Sequence, residues 1–366
     1  MAERYGVGII GAGSIAGAHI DALKQLGDQC KVVAISDLDA EKARRIASDY
    51  GVEADTYADY RDMLARVDID VVHICTPPYA RGRLVTDALA AGKHVMCEKP
   101  FAASLEECDE MLAAAERHGR KLAVMLQTRC ETDVRIMRRL VRGGTLGPIL
   151  YANAFNHHWR GDAYYRKEWR GTWEKERGGT LMNLGIHTLD IVVWILGELD
   201  SVKADIATLG HDIETDDVST AILKFKTGAI GQFGCTTTYP ISGSAMQFAG
   251  KARSVGYPLQ YAAVRENEDG FPLIDDDALR EIAREAETVV PMPEGFAGPI
   301  QDLFAAIRED REPLSSGHEV RRTVEAVTAI YKAATTGTEV KLPISRDDPW
   351  YTTDGFHRAV KRGSRQ

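Results

Sequence analysis

Residues 5–37, YGVGIIGAGSIAGAHIDALKQLGDQCKVVAISD, restrict how this chain can begin folding more than any other stretch. Val7, Ile9 and Ile10 form a short apolar run, and Gly11, Gly13 and Ala16 follow at the G-x-G-x-x-G/A spacing. Gly11 permits the turn out of a strand. Gly13 lacks a side chain, so a pyrophosphate can approach the backbone, and Ala16 is small enough for the next helix to lie close to the strand. That helix offers free N–H groups and a partial positive charge to phosphates. Lys31 to Ser36 reads as a second strand, and Asp37 ends it 21 residues beyond Ala16. An acid at about that distance binds a ribose 2′-hydroxyl. GAG alone also fits a glycine-rich turn in an unrelated α/β domain. The ordered series of strand, glycines, helix, strand and acid favours a bound dinucleotide. The Asp37 carboxylate repels a 2′-phosphate and points to NAD. NADP is the alternative if Lys42 or Arg44 folds over the adenosine.

A chain of 366 residues suits two domains, and 44% hydrophobic with 27% charged residues is globular composition. The formal charge of −9 argues against a nucleic-acid surface. The locally basic run His357 to Arg365 (Arg358, Lys361, Arg362, Arg365) reads as a solvated, frayed end. Six cysteines at 30, 75, 97, 108, 130 and 235 form no C-x-x-C and read as buried, reduced thiols. The first strand starts almost at once, leaving no room for a signal peptide, and no apolar run approaches a membrane span of about 18 residues. A cytoplasmic protein without membrane partners is expected.

Strands and helices then alternate. Helices are expected over 39–49 (Asp39 as N-cap), 59–65, 81–91 and 105–118 (Ser104 as cap), with strands at 70–75, 94–97 and 121–126. Residues 1–126 should therefore form a doubly wound parallel sheet. After an amphipathic helix at 132–142 the strands lengthen and alternate with period two, as in ILYANAFNHH and VSTAILKFKTGAIGQFGCTTTYP. That pattern predicts, over 127–366, an α+β domain with a large, mostly antiparallel open sheet. Helices at 180–196, 299–308 and 316–335 complete it. A broad uncovered sheet face favours a homo-oligomer.

Two places carry groups suited to chemistry. Lys99, in Cys97-Glu98-Lys99-Pro100, ends a parallel strand at the sheet edge where such folds bind ligands. It could polarise a substrate oxygen or relay its proton, or be a surface lysine before a turn. On the apolar helix 180–196, Asn183, His187 and Asp190 share one stripe. Three polar groups on an apolar helix need partners or a wet cleft, and a histidine exchanges protons near neutral pH. A satisfied core histidine is the competing reading. The cluster Asn156-His157-His158-Trp159-Arg160, Tyr164-Tyr165, Arg166, Trp169-Arg170 suits a polyhydroxylated ring, or is ordinary loop packing. No carboxylate stands at a ligand spacing from His157-His158, so no metal is expected.

The motifs GAGSIAGAH, AGKHVMCEKP, GGTLMNLGIHTLD and TVEAVTAIYKAATTGTEVKLP resemble the Gfo/Idh/MocA oxidoreductase family over nearly the whole chain. The resemblance implies an N-terminal Rossmann domain and a C-terminal domain whose open sheet builds homodimers or homotetramers, with helices of 298–335 packing back toward the first. It implies NAD(P)-dependent oxidation or reduction of a sugar, glycoside or cyclitol. Lys99 matches the family's catalytic lysine and His187 its acid/base, while Asn183 replaces a common Asp. Arg81 and Phe296 stand where relatives often carry histidines. The expected cofactor residues are Gly11, Gly13, Ser14, Ile15, Ala16, Asp37, Thr76, Pro77, Glu98, Lys99 and Gln127. The expected substrate residues are Lys99, Arg129, His158, Trp159, Tyr165, Asn183 and His187. Two other readings stay open: a redox-neutral enzyme that retains NAD and oxidises a sugar transiently, and a non-catalytic dinucleotide sensor.

Overall fold

The computed structural model describes residues 4–363 and divides into two compact units. In the first, β1 (Tyr5–Ile10), β2 (Cys30–Ser36), β3 (Asp55–Tyr57), β4 (Val71–Ile74), β5 (His94–Cys97) and β6 (Leu122–Val124) form a parallel sheet in the order β3-β2-β1-β4-β5-β6. The chain passes from β1 outward to β3 and returns to β4, so β1 and β4 are neighbours whose carboxyl ends diverge into a crevice. β1 and β4 are almost wholly buried, as the continuous apolar runs require of strands covered on both faces. β3 is a short polar edge strand without an apolar signal in its sequence.

Helix Ser14–Gln25 packs Ala16, Ile20 and Leu23 into one core with Val7, Ile9, Ile35 and Met96. Ala297, Ile300, Leu303 and Phe304 of helix Ala297–Arg308 join that core. The first unit therefore takes Pro293–Arg321 as well as the chain up to Cys130, in place of one division near residue 126. Glu131–Met292 and the chain from Arg322 onward make the second, so the division falls inside helix Gly317–Thr336. Helices Ala40–Asp49 and Leu105–His118 start where their sequences indicate, with the Asp39 and Ser104 side chains accepting from the Glu41 and Glu107 N–H groups.

The second unit is built on nine strands: β7 (Tyr151–Trp159), β8 (Leu199–Ala207), β9 (Val218–Phe225), β10 (Ile230–Thr236), β11 (Thr238–Ala249), β12 (Arg253–Tyr257), β13 (Gln260–Glu266), β14 (Pro272–Ile274) and β15 (Val340–Lys341). Their order is β14-β13-β12-β11-β7-β10-β9-β8-β15, antiparallel except where β10 meets β7. Ala152, Ala154 and Asn156 of β7 are buried toward helix Ile186–Leu196, and the alternating positions leave Tyr151, Ile222 and Ile230 exposed on the other face.

The segment predicted as one α-helix from 180 begins with a π turn, Leu181–Gly185, and continues as α-helix Ile186–Leu196. The buried Asp216 carboxylate receives the Gly179 and Leu181 N–H groups at its start. A Cβ on Gly179 would lie 1.8 Å from the Asp216 carbonyl oxygen, so only glycine fits there. The tail read as frayed is helical over Thr353–Gly363, and Phe356 packs in a ring cluster with Trp173, Tyr331 and Trp350. Arg365 lies outside the described residues. Helix Asp276–Glu287, capped by Asp275, is a further element not anticipated. All six cysteines are buried and unpaired as disulfides. Among the described residues no helix is long and apolar enough to cross a membrane.

Candidate functional site

The first unit gathers candidate groups along the carboxyl ends of β1, β4, β5 and β6. Gly11 leaves β1 with φ +99°, and a Cβ there would lie 3.0 Å from the Cys75 carbonyl, so glycine is demanded by both conformation and packing. Gly13 differs. Its φ of −78° and ψ of −179° suit any residue, and an added Cβ meets nothing within 4 Å. Neither backbone nor packing requires glycine there, whereas a ligand approaching the exposed turn does. Gly13 and Ser14 are exposed, Ile15 is half-buried, and Ala16 is fully buried against the sheet. No side chain caps the N-terminus of helix Ser14–Gln25, leaving its first N–H groups facing out. The Asp37 carboxylate accepts from the Ala12 N–H (2.8 Å) and the Asp39 N–H (3.0 Å), which ties the end of β2 to the glycine turn.

Thr76 and Pro77 follow β4 and Gln127 follows β6. The Thr76 Oγ1 and Gln127 Oε1 atoms are buried without a partner among the described residues. Orphaned polar atoms at a ligand-binding edge fit a dinucleotide that would satisfy them. Lys99 is half-buried just beyond β5, between those two strands.

Three residues have other surroundings than the sequence suggested. Glu98, grouped with the cofactor residues, turns its carboxylate inward: it is 3% exposed and bonds His19 and the Lys99 N–H. A carboxylate leaving water needs such partners. Arg129, grouped with the substrate residues, is 1% exposed and gives an Nη1–H to the Leu314 carbonyl at 2.8 Å. Arg81 is buried and donates to the carbonyls of Thr76 and Pro100, clamping the turns that follow β4 and β5.

In the second unit Asn183 and His187 are half-buried on consecutive turns of the apolar helix, while Asp190 is fully buried and bonded to Thr323 Oγ1 (2.6 Å). Asp190 therefore serves the packing of helix Gly317–Thr336 and leaves the stripe. The Asn183 amide donates from Nδ2 to Tyr164 Oη and to Glu176 Oε1, both at 3.0 Å. Glu176 is 4% exposed, pairs with Arg170 at 3.0 Å, and accepts the Gly171 N–H. The Arg170 guanidinium lies 3.9 Å from the centre of the Tyr164 ring and 4.3 Å from that of Trp169. Asn183 thus sits on a preformed scaffold of carboxylate, guanidinium and phenol. Glu176 escaped the sequence reading because TWEKERGG looks like a solvated charged stretch. The signal that could have found it is the partner a polar side chain on an apolar helix must have.

Strand β7 separates residues that the sequence placed in one loop. His158 shares a face with Asn156, whose amide bonds Thr188 Oγ1 of the covering helix at 3.1 Å. His157 and Trp159 lie on the opposite, open face, with His157 stacked between Phe155 and Tyr239. Period-two alternation divides the pair, so Trp159 does not join His158. Burial, with help from Arg160 and His157, holds the His158 pKa below its ordinary value. Tyr165 gives its hydroxyl to Thr237 Oγ1 (3.0 Å), and burial pushes its pKa up to about 12.

A glycine-turned crevice on a parallel sheet of order 3-2-1-4-5-6, followed by a unit with a wide mixed sheet, defines a two-domain dinucleotide-binding oxidoreductase. Residues 5–126 match the oxidoreductase family with an NAD-binding Rossmann fold, and residues 134–255 match the GFO/IDH/MocA C-terminal domain. The chain belongs to the Gfo/Idh/MocA oxidoreductase family. It is 27% identical to the D-apiose dehydrogenase of Paraburkholderia graminis, over 98% of this chain and 96% of that protein. It is 32% identical to the inositol 2-dehydrogenase of Burkholderia multivorans over 55% of this chain, an alignment spanning 56% of that relative's length. Its fold is similar to that of the WlbA dehydrogenase of Chromobacterium violaceum in complex with NADH and UDP-GlcNAcA. The TM-score is 0.81 at 27% identity, covering 94% of this chain and 98% of the other.

Proposed function

We propose that this protein is an NAD-dependent dehydrogenase acting on a secondary hydroxyl of a sugar, glycoside or cyclitol, or reducing the corresponding ketone. The observation that carries the reading is the sheet edge where Gly13 stands open to a ligand and the orphaned Thr76 and Gln127 oxygens flank the strand that ends in Lys99. Gly11, Gly13, Ser14, Ile15 and Ala16 would hold the pyrophosphate through backbone N–H groups. Asp37 would bind the ribose, and Thr76, Pro77 and Gln127 would line the cofactor further along the edge. NAD, when bound, supplies the hydride acceptor. Lys99 and His187 are the proton-transfer groups, with Asn183, held by Glu176 and Tyr164, hydrogen-bonding a substrate hydroxyl. The relatives named for apiose and inositol support a polyol substrate, and the neutralisation of Arg170 by Glu176 favours an uncharged one.

Absorbance at 340 nm with NAD, then NADP, across sugars, glycosides, inositols and sugar nucleotides tests the proposal. NADH growth with one class names the substrate, and Lys99→Met should then lower kcat by about 10²–10⁴-fold, the usual loss of a proton-transfer group. Silence across the panel from protein that retains NAD through purification would move the reading to a redox-neutral enzyme. Reversible NADH binding without turnover of any polyol would move it to a sensor.

A further inference from the structure

Helix Ser14–Gln25, whose N-terminus forms part of the glycine turn, carries His19 into the interior beneath the sheet edge. His19 and His73 are fully buried and Glu98 is 3% exposed. His19 Nε2 lies 2.9 Å from Glu98 Oε1, and His19 Nδ1 lies 2.9 Å from His73 Nδ1. Glu98 Oε2 accepts the backbone N–H of Lys99 at 3.1 Å. An Nδ1 pair of histidines needs one donor and one acceptor. A buried Glu98 carboxylate assigns the roles: His19 as imidazolium donates from both nitrogens, and neutral His73 accepts at Nδ1. The titration tendencies agree. Burial works against the His19 imidazolium, but the Cys75 sulfur and the Glu98 carboxylate outweigh it and hold its pKa at about 10. Burial, followed by the neighbouring His19 charge, keeps His73 neutral. Burial also opposes the Glu98 carboxylate, and the hydrogen bond and charge of His19 nevertheless lower its pKa.

This arrangement has two effects on Lys99. The N–H bond to Glu98 Oε2 fixes the backbone from which its side chain leaves the strand. The Glu98 charge, which next to Lys99 would stabilise an ammonium and keep it protonated, is cancelled by His19.

We propose that His19 and Glu98 are positioning residues: their buried ion pair anchors the Lys99 backbone to the cofactor-turn helix and removes a negative charge that would otherwise hold Lys99 protonated. The proposal rests on the dehydrogenase reading only for the use made of Lys99. The other groups facing the pair are His73 of β4, Cys75 just beyond it, Arg81 of helix Arg81–Ala90, Cys97 of β5 and the ring of Phe296. None of them replaces the His19 charge against Glu98 Oε1.

His19→Gln tests this, since its amide can still donate to Glu98 while the charge is lost. Competitive acetylation of Lys99 in the full chain without substrate, followed against pH by peptide mass spectrometry, reads its titration directly. The midpoint should rise by about one unit in His19→Gln, the lower end for one unscreened opposite charge. It should return to the wild-type value in His19→Gln/Glu98→Gln, where both charges are gone. The pH profile of NADH formation should move by the same amount in the same direction. Below that midpoint kcat should fall about tenfold, as the neutral fraction does, while the NADH Kd from fluorescence titration changes less than about threefold. An unmoved Lys99 midpoint, or a double variant that fails to restore it, overturns the proposal. If His19→Gln does not fold, the ¹⁵N resonances of histidine-labelled wild-type protein decide. Both His19 ring nitrogens must be protonated at pH 8, and a neutral ring refutes the pair. A shifted midpoint with no turnover of any polyol would strike the dehydrogenase reading alone. An active enzyme with an unmoved midpoint would strike the positioning role alone.

Discussion

Replacing Gly13 by Ala separates the ligand's demand for glycine from the fold's. At this position φ is −78° and ψ −179°, and the new Cβ meets no atom within 4 Å, so there is neither strain nor clash. Gly13 is the N-cap of helix Ser14–Gln25, where Ala is worse than Gly by about 1 kcal/mol. The stiffer unfolded chain returns about 0.4–1 kcal/mol. Net stability in urea should therefore stay within about 1 kcal/mol of wild type. The methyl group stands where a pyrophosphate must approach, and a loss of about 1.4 kcal/mol or more there raises the NADH Kd at least tenfold. NADH fluorescence titration reads that change. Gly11→Ala is the control. With φ at +99° and its Cβ 3.0 Å from the Cys75 backbone, strain of about 1–3 kcal/mol should lower stability together with binding. Wild-type NADH affinity in Gly13→Ala, or a stability loss as large as that of Gly11→Ala, would refute the assignment of the turn.

Glu176→Ala should destabilise the second unit by about 3–5 kcal/mol in urea, because it leaves Arg170 with little exposure and no counter-charge, while Glu176→Gln should cost less. Stability should also fall as pH drops from about 6.5 toward 4. His94 is held neutral, with its pKa lowered to about 4 chiefly by burial and then by Arg120 and Lys121, and its Nδ1 accepts the Lys121 N–H at 3.0 Å. The unfolded chain binds the extra proton throughout that window, so the His94 contribution is present above pH 6.5 and lost as pH falls through 4. His94→Gln should flatten that part of a stability–pH curve measured by urea denaturation. Light scattering should give a multiple of 40.3 kDa if a second copy covers the open sheet face, and Ile222→Lys/Ile230→Lys should return it to a single chain. A monomeric wild type would contradict that expectation.

The first unit was legible because its signals are local. Gly11, Asp39 and Ser104 act within a few residues of themselves, and unbroken apolar runs mark buried parallel strands. The second unit was legible as a sheet through alternation, though the same rule applied to His158 and Trp159 would already have parted them. The polar β3, the π turn at Leu181–Gly185 and the C-terminal helix gave no such mark. Each depends on distant partners: β2 for the first, Asp216 and Cys235 for the second, and the Trp173–Tyr331 rings for the third.

By itself the sequence determined the two-domain division of labour, the dinucleotide turn, its acid, and the lysine and histidine available for proton transfer. These follow from residue type and spacing, which chain geometry converts into position over one or two elements. Only the tertiary structure decided that Glu98 faces His19 rather than the crevice, that Arg129 is interior, and that Glu176 holds Asn183. A long polar side chain can point several ways from the same backbone. The direction it takes is set by which opposite charge or hydrogen-bond partner the fold brings within reach, because burial without one costs more than any local preference can offset.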